Sequence, residues 1–575
     1  MPTLTPVPLP VVPAGPVPPP PAPRVRPLSA EQKRAQQPAL AATWSLEILR
    51  PQLPLAFPVD PDLPPSPKHR YRSTYRPPDP AALPEPADWG LLSDFELALA
   101  LIDCSPLERR LAAMYRPSAK GQVPFHPVSL LLAVCLRREL GLGWRALARL
   151  LAGPHGAGWC ARLGFADGQT PSASGLRYFF QTVGADAIAA LCPRFVALLR
   201  AHGLCPERST CPGDPPARGV TVCQAGMLHP ARGRPSCQLA TDACYQPLPA
   251  PAAPADSSPA PADPAHASPT VATGRPCRAR EHDREGCACT SPACQDQCRR
   301  ASRLDPEARF IHYAGRDGAR GTDVFGYRSV AERVLDDRVA VAWTLTSGLY
   351  PANTDERTIF VARVHALTAT VPDLAIGEWL DDTGVGYGDC LDAVWQLGAL
   401  RMIDIRADPS DDDPAACLAR GYDGTGRPLC PHGYRLRANG YDHDRRRAKY
   451  VCAQACRRDP PPTGPTDATA QPVAACPFLE PPGSVGYVVN VGRTLPDGSR
   501  RLARDLPVGS DAWAARYGRR NLAESRNGQL EGLGLKRLPT HGLPQATKEI
   551  QLADFLLNLH TLGRLIRQAS TLTAA

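Results

Sequence analysis

The stretch LAIGEWLDDTGVGYGDCLDAVWQLGALRMIDIR, residues 374–406, decides how this chain is read. Its opening LAIGEWLDD is an apolar run of strand length that ends in two adjacent acids, Asp381 and Asp382, before Thr383 and Gly384. GDCLDAVWQLG then carries apolar residues at helical spacing, and ALRMIDIR returns to a second strand-like run. Strand, Gly-containing turn, helix and strand in so short a span point to an α/β domain.

Working upstream, DERTIFVARVHALTATV (355–371) reads as a helix, and DVFGYRSVAERV (323–334) and RVAVAWTLTSGLY (338–350) as two β-rich runs, a hairpin or neighbouring strands. CQLATDACY (237–245) alternates enough for a further strand, with Asp242 near its end, and a Pro/Ala-rich low-complexity insert follows it. Strands first, then strands alternating with helices, imply an α/β core with a mixed sheet. Before it, 91–184 holds a series of short helical patterns joined by Gly-rich turns. These suit helix-turn-helix DNA recognition and equally a plain all-α packing domain. Residues 1–88 hold 25 of the 67 prolines and little apolar periodicity, the composition of a disordered, partly polyproline-like tail.

Working downstream, Gly, Pro, Cys and short β-like pieces such as GYVVNV and SRRLARDL interrupt the alternation. The chain resumes helix at 511–530 and closes on ATKEIQLADFLLNLHTLGRLIRQ, a strongly amphipathic pattern. The expected organisation is therefore a tail (1–88), an α-helical domain that is a candidate for DNA binding (89–204), the first part of the core with a Cys-rich insert near 246–300 (205–407), a β-rich, cysteine-containing insertion domain (408–510) and a helical remainder of the core (511–575).

The formal charge is +9. Residues 490–575 carry 13 Lys and Arg against 7 Asp and Glu, a surplus that suits a polyanionic partner. The longest apolar run, VSLLLAVCL (128–136), is too short to cross a bilayer, and the proline-broken start lacks the basic segment of a secretory signal. A cytoplasmic protein with no membrane partner is the expectation. In that compartment the twenty cysteines read as thiols or metal ligands, not as a disulfide framework.

Three acids stand out by position: Asp242 and Asp381 or Asp382 at strand ends, and Glu524 inside the late helix of RYGRRNLAESRNGQLEGLGLKRL (516–538). Hard carboxylate oxygens gathered at one edge of a sheet are what Mg²⁺ requires. An i,i+4 salt bridge is the plainer reading of Glu524.

LDDTGVGYGDCLDAVWQLGALRMIDIR resembles the second-aspartate region of DDE transposases, and Tyr517, Arg520 and Glu524 match in order and spacing a Tyr–Arg–Glu helix of the IS4-like and IS1182-like groups. The resemblance covers roughly residues 90–575. It implies an RNase H-like catalytic core that binds Mg²⁺ or Mn²⁺ through Asp242, Asp382 and Glu524. The implied activity is cleavage of element ends and strand transfer into target DNA. Asp382 is preferred to Asp381 because it stands directly before Thr383 and Gly384. Tyr517 and Arg520 would assist at the scissile DNA end, with Arg526, Lys536 and Arg537 as further DNA contacts. Double-stranded DNA, both terminal inverted repeats and target, would be the partner of a homo-oligomer, nucleoid-associated when bound. Glu531 stands where the family has Lys. A DNA-binding descendant that no longer cuts, and a zinc-stabilised interaction protein with a partner-recruiting proline tail, are the rival readings.

Two cysteine clusters remain. Cys277, Cys287, Cys289, Cys294 and Cys298 surround His282, while Cys430, Cys452, Cys456 and Cys476 lie in the insertion. Both are candidates for structural Zn²⁺, the second the stronger.

Overall fold

The computed structural model describes residues 38–574 except 39, 68–69, 80, 82, 84–88, 90, 116–121, 166–168, 234–235, 238–244, 247–274, 277–299, 302–303, 314–321, 458–475 and 480–483. The chain is mixed α/β. Its N-terminal helices are α1 (Asp94–Leu101), α2 (Pro127–Glu139), α3 (Trp144–Ala152), α4 (Ala173–Thr182) and α5 (Leu191–Ala201). A capping box starts α1, in which the Ser93 hydroxyl accepts the Glu96 N–H and the Glu96 carboxylate accepts that of Ser93.

The main sheet follows: β1 (Val220–Pro230), β2 (Arg309–Tyr313), β3 (Thr322–Asp336), β4 (Val341–Pro351), then α6 (Glu356–Thr370), β5 (Ile376–Asp381), α7 (Gly388–Gln396) and β6 (Leu400–Ile403). Strand order is β4-β3-β1-β5-β6, with β2 also paired to β3. β3 runs antiparallel to β1, β2 and β4, whereas β1, β5 and β6 are mutually parallel neighbours. The strand–helix–strand reading of 374–406 thus appears as β5, α7 and β6, and the two β-rich runs as the long hairpin β3–β4.

Because β5 is covered on both faces, its apolar residues run consecutively. Trp379 packs edge-on against Phe360 of α6, ring centroids 5.4 Å apart, while Leu380 joins Cys223, Trp513 and Ala523 on the other side. That second side is covered by α8 (Asp511–Tyr517, with Trp513) and α9 (Arg520–Gly532, with Ala523). Between β6 and α8 the insertion forms its own three-stranded antiparallel sheet, named here β7 (Arg437–Asp442), β8 (Arg447–Val451) and β9 (Val488–Val491). The final helix, α10 (Leu543–Ala574), touches α1, α2, α5 and β4 and ties the N-terminal helices to the sheet. Among the described residues, no single helix is long and apolar enough to cross a membrane.

Four expectations need correction. Residues 1–37 lie outside the described residues, but the rest of the proline-rich segment is not a tail. Trp44, Leu49, Leu55 and Phe57 are buried in the main core, and Trp44 stacks on Trp343 at 5.8 Å. The chain is helical at 40–44 and at Leu46–Leu49, and Leu55–Ala56 then pairs as a short parallel strand with Ile102–Asp103, so the prolines only bound these pieces. Second, the central strand is 220–230, a stretch given no strand from sequence; of 237–245, Cys237 and Tyr245 lie in short strands, and residues 238–244, with Asp242, fall outside the described residues. Third, SRRLARDL (499–506) is turn and not strand, because Arg504 and Asp505 turn inward to bond the core. Fourth, α10 is buried nearly all round. Its polar face is matched from outside, Glu549 by Arg137 and Arg138, Asp554 by Arg526, and Asn558 by the backbone of Thr344.

Candidate functional site

Helices α8 and α9 meet at RYGRR (516–520), and Arg516 and Arg519 face one way while Tyr517 and Arg520 face the other. The Ser510 side chain caps α8 by accepting the Trp513 N–H at 3.2 Å, and Trp513 stacks on Tyr517, centroids 5.6 Å apart. Arg516 and Arg519 turn to the sheet. Both donate to Glu378, at 3.0 and 2.6 Å; Arg516 also pairs with Asp214 and Arg519 with Asp337 at 2.7 Å. Glu378 is 0% exposed and further accepts the Thr221 hydroxyl at 2.7 Å. These pairs bolt the helices to β5 and β1.

Arg520 faces the other way, towards the strand ends. It donates to the Tyr517 hydroxyl at 2.8 Å and pairs with Glu524 one turn on. Burial alone would lower the Arg520 guanidinium, but Tyr517, Glu524 and Asp382 beside it hold it above its ordinary value. Burial, with a smaller push from Asp404 and Asp382, raises the Tyr517 hydroxyl. The C-terminal ends of β5 and β6 and the start of α9 therefore share one acidic rim, with Arg520 among the carboxylates.

The two adjacent aspartates differ. Asp382 accepts the Gly384 N–H at 2.8 Å and holds the turn into α7. A Cβ at Gly384 would collide with both Asp382 and Glu356, so glycine lets Glu356, at the start of α6 and paired with Arg328, close on this turn. Asp381 is buried; its Oδ1 accepts the Asp382 N–H at 2.9 Å and its Oδ2 has no hydrogen-bond partner. Burial, then the charge of Asp382, pushes the Asp381 carboxyl well above the usual range.

The structure thus brings Asp382, Tyr517, Arg520 and Glu524 together. Asp242 lies outside the described residues. β1, the strand beside β5, carries no carboxylate: Cys223 pairs with Leu380 and Gln224 follows it, its amide donating to Glu332 at 3.0 Å. Arg526 is not a DNA-facing cation; it is 0% exposed and forms a two-pronged pair with Asp554 at 2.6 and 2.8 Å. Lys536 and Arg537 are exposed, Lys536 pairing with Glu531 at 3.4 Å and Arg537 donating to the carbonyls of Ala231 and Arg232. Sequence reading missed Glu356, Glu378 and Asp404. Glu378 was visible as a lone charge inside an apolar strand, and Asp404 as the acid closing the next one.

Asp382, Glu524 and the unpartnered Oδ2 of Asp381 are hard oxygens of the kind Mg²⁺ takes. Among the described residues, however, no group of three or more His, Cys, Asp or Glu is arranged to hold a metal ion as it stands. In the insertion, Cys430, Cys452, Cys456 and Cys476 line one small cavity with His432. Neither protein-family models, nor curated proteins, nor solved structures yield a match to this chain.

Proposed function

We propose that the chain is a DDE-type DNA transposase with an RNase H-like core, cleaving element ends and joining them to target DNA. The observation that carries this reading is the meeting of strand-end Asp382 with Tyr517, Arg520 and Glu524 at the junction of α8 and α9, from segments far apart in sequence. The strand order, an antiparallel hairpin leading into neighbouring parallel strands, supports the RNase H-like part of this reading. Mg²⁺ or Mn²⁺, when bound, would supply Lewis-acid stabilisation of the phosphodiester oxygens. Asp382 and Glu524 offer the ligand oxygens, with Asp242 as the third carboxylate the reading requires. Arg520, positioned by Tyr517, would offer planar N–H donors to a phosphate. Salt-sensitive affinity for double-stranded DNA would follow from the basic C-terminal part.

The test uses the full chain and plasmid DNA carrying the sequences that flank its coding region. Metal-dependent nicking should be present in the unaltered chain and abolished by Glu524→Gln, with DNA affinity nearly unchanged. A large affinity loss in that variant would contradict a metal-binding role for Glu524.

One observation favours a second reading, a transposase-derived protein that binds DNA without cutting it: the central strand holds Cys223 and Gln224, with no carboxylate, beside Asp381. Tight DNA binding by the unaltered chain, with no nicking in Mg²⁺ or Mn²⁺, selects this second reading.

A further inference from the structure

The insertion folds around little apolar material. Its cluster of buried side chains is Tyr422, Leu436, Ala448, Tyr450, Val491, Leu495, Leu502 and Ala503, a small core for an independent sheet. Cys430 lies in the segment leading to β7, Cys452 directly follows β8 with Cys456 in the next turn, and Cys476 lies in the segment leading to β9. All four are free thiols, and all four line the same cavity, roofed by Phe478 and Tyr487.

Three local features prepare this cavity for a cation. The Gln454 N–H donates to the Cys452 sulfur at 3.3 Å. Gln454 reaches this position with φ +52, a left-handed conformation that a non-glycine residue adopts at a cost. Gly486 permits the close approach of a second segment, since a Cβ there would lie 2.6 Å from the Cys452 Cβ and 3.1 Å from its sulfur. Finally, His432 Nε2 is buried at the cavity without a hydrogen-bond partner.

We propose that Cys430, Cys452, Cys456 and Cys476 bind one structural Zn²⁺ that clips the ends of β7, β8 and β9 together. Binding turns the four thiols inward between staggered rotamers and releases their protons, giving the closed tetrahedral site of structural zinc. A soft divalent ion with four thiolates, and no position left for water, serves folding and not chemistry. The proposal does not depend on the transposase reading, because nothing in it involves the acidic rim.

The test is cobalt substitution in the full-length protein. One Co²⁺ per chain in this site should give strong sulfur-to-cobalt charge-transfer absorption and the visible bands of a tetrahedral ion. Cys430→Ser and Cys476→Ser should each lose that signature, and Cys289→Ser, in the other cysteine cluster, should keep it. Where the serine variants fail to fold, Cys456→His provides the second measurement: imidazole can replace a thiolate, so it should retain the metal with shifted visible bands. Absence of a tetrahedral signature in the unaltered chain overturns the proposal. Loss of the signature in Cys289→Ser with retention in Cys430→Ser overturns it as well.

Discussion

Two sets of arginines share one short stretch of this chain and serve opposite ends. Arg516, Arg519 and Arg526 lie against the sheet or α10, each in charge pairs with carboxylates that are themselves buried. Arg520 lies among carboxylates on the rim, and its partner Glu524 keeps 41% of its side-chain surface exposed. The difference teaches that a basic run is not a unit of function. A buried arginine is committed by the cost of leaving its partner unpaired, whereas a rim arginine can exchange partners with a ligand or a cation.

The largest expected effect breaks the buried side of this comparison. Arg526→Met strands Asp554 at 0% exposure and should cost about 3–5 kcal/mol in urea unfolding. Adding Asp554→Leu should recover most of that loss, because two apolar side chains leave no uncompensated charge. Failure of the double variant to recover would mean the pair is held for more than charge balance.

A smaller effect, of opposite sign, is expected at Asp381. Its folded carboxyl retains a proton that the unfolded chain has already released, since burial raises it well above the usual range. Stability contributed by this group is therefore fully present below its ordinary value near about 4 and is lost as pH rises towards the raised folded value. The slope is at most about 1.4 kcal/mol per pH unit. Asp381→Asn should flatten that slope and raise the melting temperature at pH 8 more than at pH 5. Equal shifts at both values would show that the proton is not held there.

The smallest effect sharpens the rim side. Arg520→Met should change stability by no more than about 1 kcal/mol, because its ion pair with Glu524 is partly solvated. On the proposed function it should nonetheless remove cleavage. A loss as large as that of Arg526→Met would place Arg520 among the structural arginines and take the rim out of the functional argument.

Much of the fold was legible. The run 374–406 declared strand, turn, helix and strand because its apolar residues change period from continuous to helical and back. The Arg520–Glu524 pair was legible as well, since positions four apart on a helix are neighbours, whereas Tyr517 reaches Arg520 across the turn that separates α8 from α9 and not along one continuous helix. Less legible was the central strand, VTVCQAGMLHP, whose Gly226 and Pro230 look like loop punctuation. They are tolerated because the antiparallel partner β3 supplies the register.

The sequence by itself determined most local elements, the uneven charge and the grouping of four cysteines in the insertion, since these depend on neighbours along the chain. Only the tertiary structure decided which charges are available. Whether an arginine meets a buried aspartate or an open rim depends on the face its helix turns to the sheet, and that is set by packing at Trp513, Ala523 and Leu380. It also decided that α10 is a core pillar and not a surface helix, because its polar residues find partners on α2, α9 and β4 that lie far from it in sequence. Burial of a polar group is favourable only when its partner arrives, and no single segment carries both halves of that condition.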